Sequence, residues 1–402
     1  MKAKLQLVLL VVLFVNFIFL SNQVFAASEE GQADPLEAIS QTEIIDEQLD
    51  KLGIDKLVQY WDGVVNEYGG YLPESQKGSL VDFLKGEKEF SLEAWFHALL
   101  RFIFHELIAN GKLLGTLILL TVFSVFLQSL QNAFESGTVS KVAYAIVFMV
   151  LIIFALNSFH IAIEYTKDTI EKMIHFTLAL VPILLALMAT SGGVISASLF
   201  HPLIVFLMNT SGLFINVIVL PLLFLSAILS IVSTLSDQHK VTQLAQLLRN
   251  WSIGLLGIFM TVFLGVISVQ GATTAISDGI AVRTAKFLTG NFIPVVGRMF
   301  TDAADTVINA SVLLKNTVGI VGVVLLLVIA AFPAIKILII AFIYKFAAAL
   351  LQPLGGGPVI QCLDIISKCM IYIFASLAMV SFMFFLSVTI MIAAGNITLM
   401  VR

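Results

Sequence analysis

The chain has 402 residues, of which 59% are hydrophobic and only 12% charged, and its mean hydropathy is +1.01. Soluble domains average about 45–50% apolar and about 25% charged residues, so an ordinary soluble enzyme is excluded. With 22 Lys+Arg against 26 Asp+Glu, no basic excess exists to neutralise phosphates, which excludes a nucleic-acid partner. The composition is that of an integral membrane protein in contact with a lipid bilayer.

Charge divides the chain by position. Residues 27–112 hold 17 acidic and 7 basic residues, whereas everything after 112 holds 9 acidic and 13 basic ones. An acidic, water-exposed region therefore precedes a membrane region with sparse charge. Ahead of both, Lys2 and Lys4 open an apolar run from Leu5 to Leu20, and Val24-Phe25-Ala26-Ala27 offers small residues where a signal peptidase reads. Residues 1–26 are predicted to be a signal peptide. The lysines mark the inner side, which puts the segment after it outside the cytoplasm.

Residues 27–110 read as short helices. Ile45, Leu49 and Leu52 recur at helical spacing with Gly53 as the stop, a second helix runs from about Ile54 to Tyr68, and a third lies near Leu80 to Leu84. None has the apolar surface for a core of its own, so they pack together or on a partner, the alternative being a solvated spacer. Ser91 then caps an amphipathic helix, Leu92 to Asn110. Trp95, Phe96, Leu99, Phe102, Ile103 and Leu107 form one face, and Glu93, His97, Arg101 and His105 the other. His97 and His105 stand about 12 Å apart along the axis, too far to share one metal ion, and the helix reads as interfacial.

A membrane span needs about 20 apolar residues. Segments 113–130, 142–163, 174–190, 251–270 and 370–394 meet that length. The stretch 197–234 is expected to divide near Asn209 to Asn216 into 197–215 and 217–234. The stretch 317–351 would extend about 50 Å at helical rise. It is expected to break at Pro333 and Lys336 into 317–334 and 337–351. The expected fold class is all-α: a polytopic membrane helix bundle of about eight or nine spans over 111–402, with a small helical extracytoplasmic N-terminal region. The loops 235–250 and 271–316 carry opposed Lys/Arg signals, so the side of the C-terminus stays open.

Two irregular elements interrupt the membrane half. Phe292-Ile-Pro-Val-Val-Gly297 is an apolar turn containing Pro294, and Arg298, Asp302 and Asp305 follow on one helix face, with Arg298 and Asp302 one turn apart. The second is Gln352-Pro-Leu-Gly-Gly-Gly-Pro358, with Pro353, Gly355, Gly356, Gly357 and Pro358. Irregular backbone at membrane depth persists only where protein or water satisfies its amides, so these residues are candidate pore or assembly elements, the alternative being two interfacial loops. Gly257, Thr261 and Gly265 share a face, as do Ser226 and Ser230, which favours close helix packing. Cys362 and Cys369 would lie about 10 Å apart on a helix, beyond disulfide reach.

Catalytic signatures are missing: the chain has no Gly-Lys-Ser/Thr phosphate loop, no His-Glu-x-x-His and no Gly-x-Ser-x-Gly. No enzyme activity, metal or cofactor is expected.

The runs from Ala281 to Asp305 and from Leu351 to Asp364, with the order of signal sequence, acidic exported region and multi-pass region, resemble the stage III sporulation protein AE family of endospore-forming bacteria. The resemblance implies an integral membrane component of a channel or secretion-like complex in the mother-cell membrane around the forespore. Its implied partners are other membrane and ring-forming proteins of the same complex, an ATPase supplied by another chain, and a forespore-side partner. It would be needed for forespore development and late forespore gene expression. The competing reading is a stand-alone secondary transporter whose site is framed by broken helices near 290–309 and 352–358.

Overall fold

Three short helices sit beside a bundle of long ones in the computed structural model, which describes residues 52–400 apart from 75–76, 86–87, 89–90, 134–137, 236–240, 293–295 and 355–356. The predicted signal peptide and the predicted helix ending at Leu52 lie outside the described residues.

The short helices are α1 (Asp55–Tyr68), α2 (Leu80–Leu84) and α3 (Leu92–Ala109). Gly53, at φ 60°, turns the chain into α1, where a left-handed conformation suits glycine alone. Ser79 and Asp82 form a reciprocal capping box on α2, and the Ser91 hydroxyl accepts the Ala94 N–H at 3.2 Å to start α3. Trp61, Leu80 and Phe83 are buried between these helices, and the Trp61 indole donates to the Gly78 carbonyl at 2.6 Å.

The long helices are α4 (Gly111–Ala133), α5 (Thr138–Thr190), α6 (Val194–Phe214), α7 (Leu220–Leu235), α8 (Thr242–Phe292), α9 (Val296–Leu351) and α10 (Pro358–Met400). Among the described residues, six helical stretches are long and apolar enough to cross a membrane. The expected segments map onto these helices as follows. The segments 142–163 and 174–190 lie on one helix, α5, and 317–334 and 337–351 lie on α9, which runs through Pro333 and Lys336 unbroken. Pro333 removes one backbone donor. The neighbours hold that stretch helical, because Phe332, Ile337 and Ile340 are buried. The expected break between 197–215 and 217–234 is a π-turn, Ile215–Val219, that joins α6 to α7. Pro221 has no N–H to offer Val217, and the wider turn falls at that lost bond.

Helix α9 packs along α10 and α5, and α8 packs along α10 and α7. Glycines permit the closest approaches. A Cβ on Gly322 would lie 2.5 Å from Leu180, one on Gly319 2.4 Å from Ile392, and one on Gly212 2.5 Å from Ile174. Asp278 of α8 is buried and accepts the backbone N–H groups of Ile195 and Ser196 at 2.9 and 3.0 Å. It thereby caps α6, whose own N-cap residue, Gly193, has no side chain to do so.

Candidate functional site

Helix α9 ends at Leu351, one 3-10 turn covers Gln352–Leu354, and α10 begins at Pro358. Proline suits a first helical position because its missing N–H has no partner there in any case. Pro353 is exposed and Gly357 half-buried. A Cβ on Gly357 would meet the Gln128 side-chain oxygen at 2.7 Å, so the turn lies close against the end of α4. Asp364 accepts from Lys345 across the hairpin and from Lys368 at 2.6 Å on its own helix. The Lys345–Asp364 pair joins the last turns of α9 to the first turns of α10. Behind them the Tyr344 hydroxyl bonds Ser158 at 2.9 Å, tying α9 to α5.

The other irregular element is only partly visible. Gly297, Arg298, Asp302 and Asp305 lie on the first turns of α9. Pro294, Gly355 and Gly356, and the side chains of residues 285–306, lie outside the described residues. The backbone nevertheless separates the two elements. Residues 309 and 352 are on one continuous helical run, about 65 Å apart at about 1.5 Å per residue. Within one chain, residues 309 and 352 therefore stand far apart along that run.

A third locus was hidden from sequence reasoning. Tyr68 stacks on Phe332 with centroids 4.0 Å apart and planes 7° apart, and Phe102 meets Phe332 edge-on at 4.8 Å. Tyr71 adds a second edge contact to Phe102 at 5.2 Å. The Lys336 ammonium lies 5.9 Å over Phe102, 5.6 Å over Tyr165 and 3.9 Å from Glu106. This seam docks α1 and α3 on α9 and α5, and Tyr60 on Phe176 extends it. Burial, reinforced by the bond its hydroxyl donates to Glu67 at 2.7 Å, pushes the Tyr68 phenol above its ordinary range. Helix α3 is therefore not a simple interfacial helix. Its Trp95, Ala98 and Phe102 are buried while Phe96, Phe104 and Ile108 face outward. The signal available in the sequence was Lys336 itself, a charge in a long apolar run that calls for a partner.

Elsewhere, Cys362 and Cys369 are free and buried. Arg249 lies 5.3 Å over the Tyr372 ring, and Ser226 donates to the Ala245 carbonyl at 2.7 Å. A Cβ added at Gly254, Gly257 or Gly265 would meet open space. The small-residue face predicted to pack helices together is turned outward.

A family model described as stage III sporulation protein AE matches residues 75–395. The stage III sporulation protein AE of Bacillus subtilis (strain 168) is 62% identical over 393 residues, covering 97% of this chain and 98% of that protein. No solved structure matches. With membrane helices throughout and a family match over most of its length, the chain is a sporulation membrane component and belongs to the stage III sporulation protein AE family.

Proposed function

We propose that the chain is a membrane component of a channel or secretion-like complex linking mother cell and forespore, on which forespore development and late forespore gene expression depend. It sits in the mother-cell membrane around the forespore, with residues 52–110 facing the space between the two membranes. Other membrane and ring-forming proteins, an ATPase supplied by another chain and a forespore-side partner complete the assembly. The chain contributes by assembly and by carrying force or passage through its bundle, without catalysis of its own.

The seam of Tyr68, Phe102, Phe332 and Lys336 is the observation that supports this reading. A partner that engages α1–α3 engages the membrane helices through the same aromatic contacts, as a coupling component requires. Purification of the full-length chain from sporulating cells in mild detergent tests it. The expected result is a stable co-purifying set that includes an ATPase and a ring-forming protein. A chain that purifies alone and moves a solute across liposomes unaided overturns it.

A further inference from the structure

We propose that the chain crosses its membrane six times, with the connections α4–α5, α7–α8 and α9–α10 together on the side opposite α1–α3. The connections α5–α6 and α8–α9 and the Met400 end of α10 share the side of α1–α3. The glycine turn is thereby a cytoplasmic contact surface, an assignment that rests on the exported location of residues 52–110 proposed above. The division of the connections between two sides does not depend on it.

Helix α4 sets the first crossing. Only Asn110 separates it from α3. Its 23 residues span about 34 Å at about 1.5 Å per residue, against a hydrocarbon core of about 30 Å. The bundle leaves much of it to lipid, since Leu119, Val122, Phe123 and Phe126 are exposed. An apolar helix of one bilayer's length, joined directly to α3, starts on the α3 side and ends on the other. Helix α9 runs beside it in the opposite direction. Lys336 lies 3.9 Å from Glu106, just before α4 starts, and a Cβ on Gly357 would lie 2.7 Å from Gln128, near the end of α4. The glycine turn is therefore one bilayer away from α3.

Contacts between helices fix every other direction. Helix α5 is antiparallel to α9, because Tyr344 bonds Ser158 while Gly322 faces Leu180. Helix α10 is antiparallel to α9 as well: Ser367 donates to the Ala341 carbonyl at 2.8 Å, and Gly319 faces Ile392. Helix α8 runs parallel to α10, with Arg249 over Tyr372 and Gly271 against Ile390. Helix α7 is antiparallel to α8, since Ser226 bonds Ala245 and Ser252 bonds Val219. These helices are long enough to emerge on both sides. Even the 41-residue stretch through α6 and α7 measures about 60 Å at helical rise. At a tilt of about 40° it still projects about 46 Å, against about 40–45 Å for a bilayer with its headgroups. The opposed Lys/Arg signals of 235–250 and 271–316 choose no side; helix direction does.

Two partner surfaces follow, divided by the membrane. One is α1–α3. The other is the glycine turn, with Gln352 and Pro353 exposed and Lys345, Asp364 and Lys368 beside it. A soluble partner that meets one cannot reach the other.

Single cysteines in the full-length chain test this in protoplasts of non-sporulating cells, where the exported side faces the medium. The probe is a membrane-impermeant maleimide, added before and after permeabilisation, and labelling in detergent gives the full reactivity of each site. Asn66→Cys on α1, Thr190→Cys at the end of α5 and Gln352→Cys in the glycine turn replace exposed residues. Cys362 and Cys369 are buried, and the parent chain supplies their background. Asn66→Cys and Thr190→Cys should label in intact protoplasts, and Gln352→Cys should label at least tenfold more after permeabilisation. Gln352→Cys labelling together with Asn66→Cys, or Thr190→Cys together with Gln352→Cys, overturns the proposal. The mirror result, with Gln352→Cys alone labelled from the medium, overturns the exported location of 52–110 and the cytoplasmic assignment, and upholds the division of the connections.

Discussion

Asp278 closes the start of a helix that begins more than eighty residues before it: one carboxylate oxygen accepts the Ser196 N–H at 3.0 Å and the other the Ile195 N–H at 2.9 Å. A helix N-terminus carries unpaired donors and partial positive charge, and in apolar surroundings an unmet donor is costly. Asp278→Ala strips both acceptors from a buried position and should cost about 2–4 kcal/mol. Asp278→Asn keeps one acceptor and should cost about half as much. Thermal unfolding of the purified chain in detergent reads both, with Ser277→Ala on the same helix as a near-neutral comparison.

The aromatic seam predicts a local effect. Phe332→Ala removes the ring that stacks on Tyr68 and meets Phe102, and should cost about 3–5 kcal/mol. Because α1–α3 lean on that ring, limited proteolysis should release residues 52–110 well before the long helices yield. Lys336→Met keeps the length of the side chain and loses the contacts to Phe102, Tyr165 and Glu106, for a smaller loss of about 1 kcal/mol. Equal protease resistance in the Phe332 variant and the parent contradicts the docking role.

Alkaline pH should loosen the same seam. The Tyr68 pKa is raised above its ordinary 10.0, first by burial and then by Glu67. The unfolded or undocked state therefore loses its proton at lower pH than the docked one. The stability Tyr68 contributes is complete below about pH 10 and declines as pH rises beyond it. Tyr68→Phe keeps the ring and removes the proton. Protease release of 52–110 between pH 9 and 11 should rise in the parent and stay flatter in that variant.

Glycines separate into two kinds. At Gly322 an added Cβ strikes Leu180 at 2.5 Å inside the bundle, whereas at Gly257 it meets nothing. Gly322→Ala should destabilise by about 1–3 kcal/mol through overpacking. Gly257→Ala should be neutral or stabilise by up to about 1 kcal/mol, since alanine favours the helix and narrows the unfolded ensemble. Parallel melts of the two variants decide it.

Local chemistry made some of this architecture legible and left the rest silent. The starts of α2 and α3 follow from Ser79 and Ser91, whose hydroxyls bond the first turns. The turn between α9 and α10 follows from its prolines and glycines. Pro333 and Lys336 misled, because the loss of one backbone bond and the presence of one charge are outweighed by contacts that no local pattern records. Phe332 has Tyr68 and Phe102 around it, and Lys336 has Glu106 and two rings. Asp278 in the sequence is an isolated acid, and its partners are the N–H groups of residues far up the chain. Arg298, Asp302 and Asp305 open α9 while Pro353 and Pro358 lie beyond its far end, a separation that continuity of α9 alone determines.

That continuity has a mechanical meaning. A helical rod clamped near its interior at Phe332, with one arm reaching Val307 and the other Leu351, is a lever with a fulcrum. The arms are about 38 and 28 Å long at helical rise, so a rocking of about 5° displaces their ends by about 3 and 2.5 Å in opposite directions. A displacement of the Val307 end would reach the turn after Leu351 with its direction reversed and its amplitude nearly preserved.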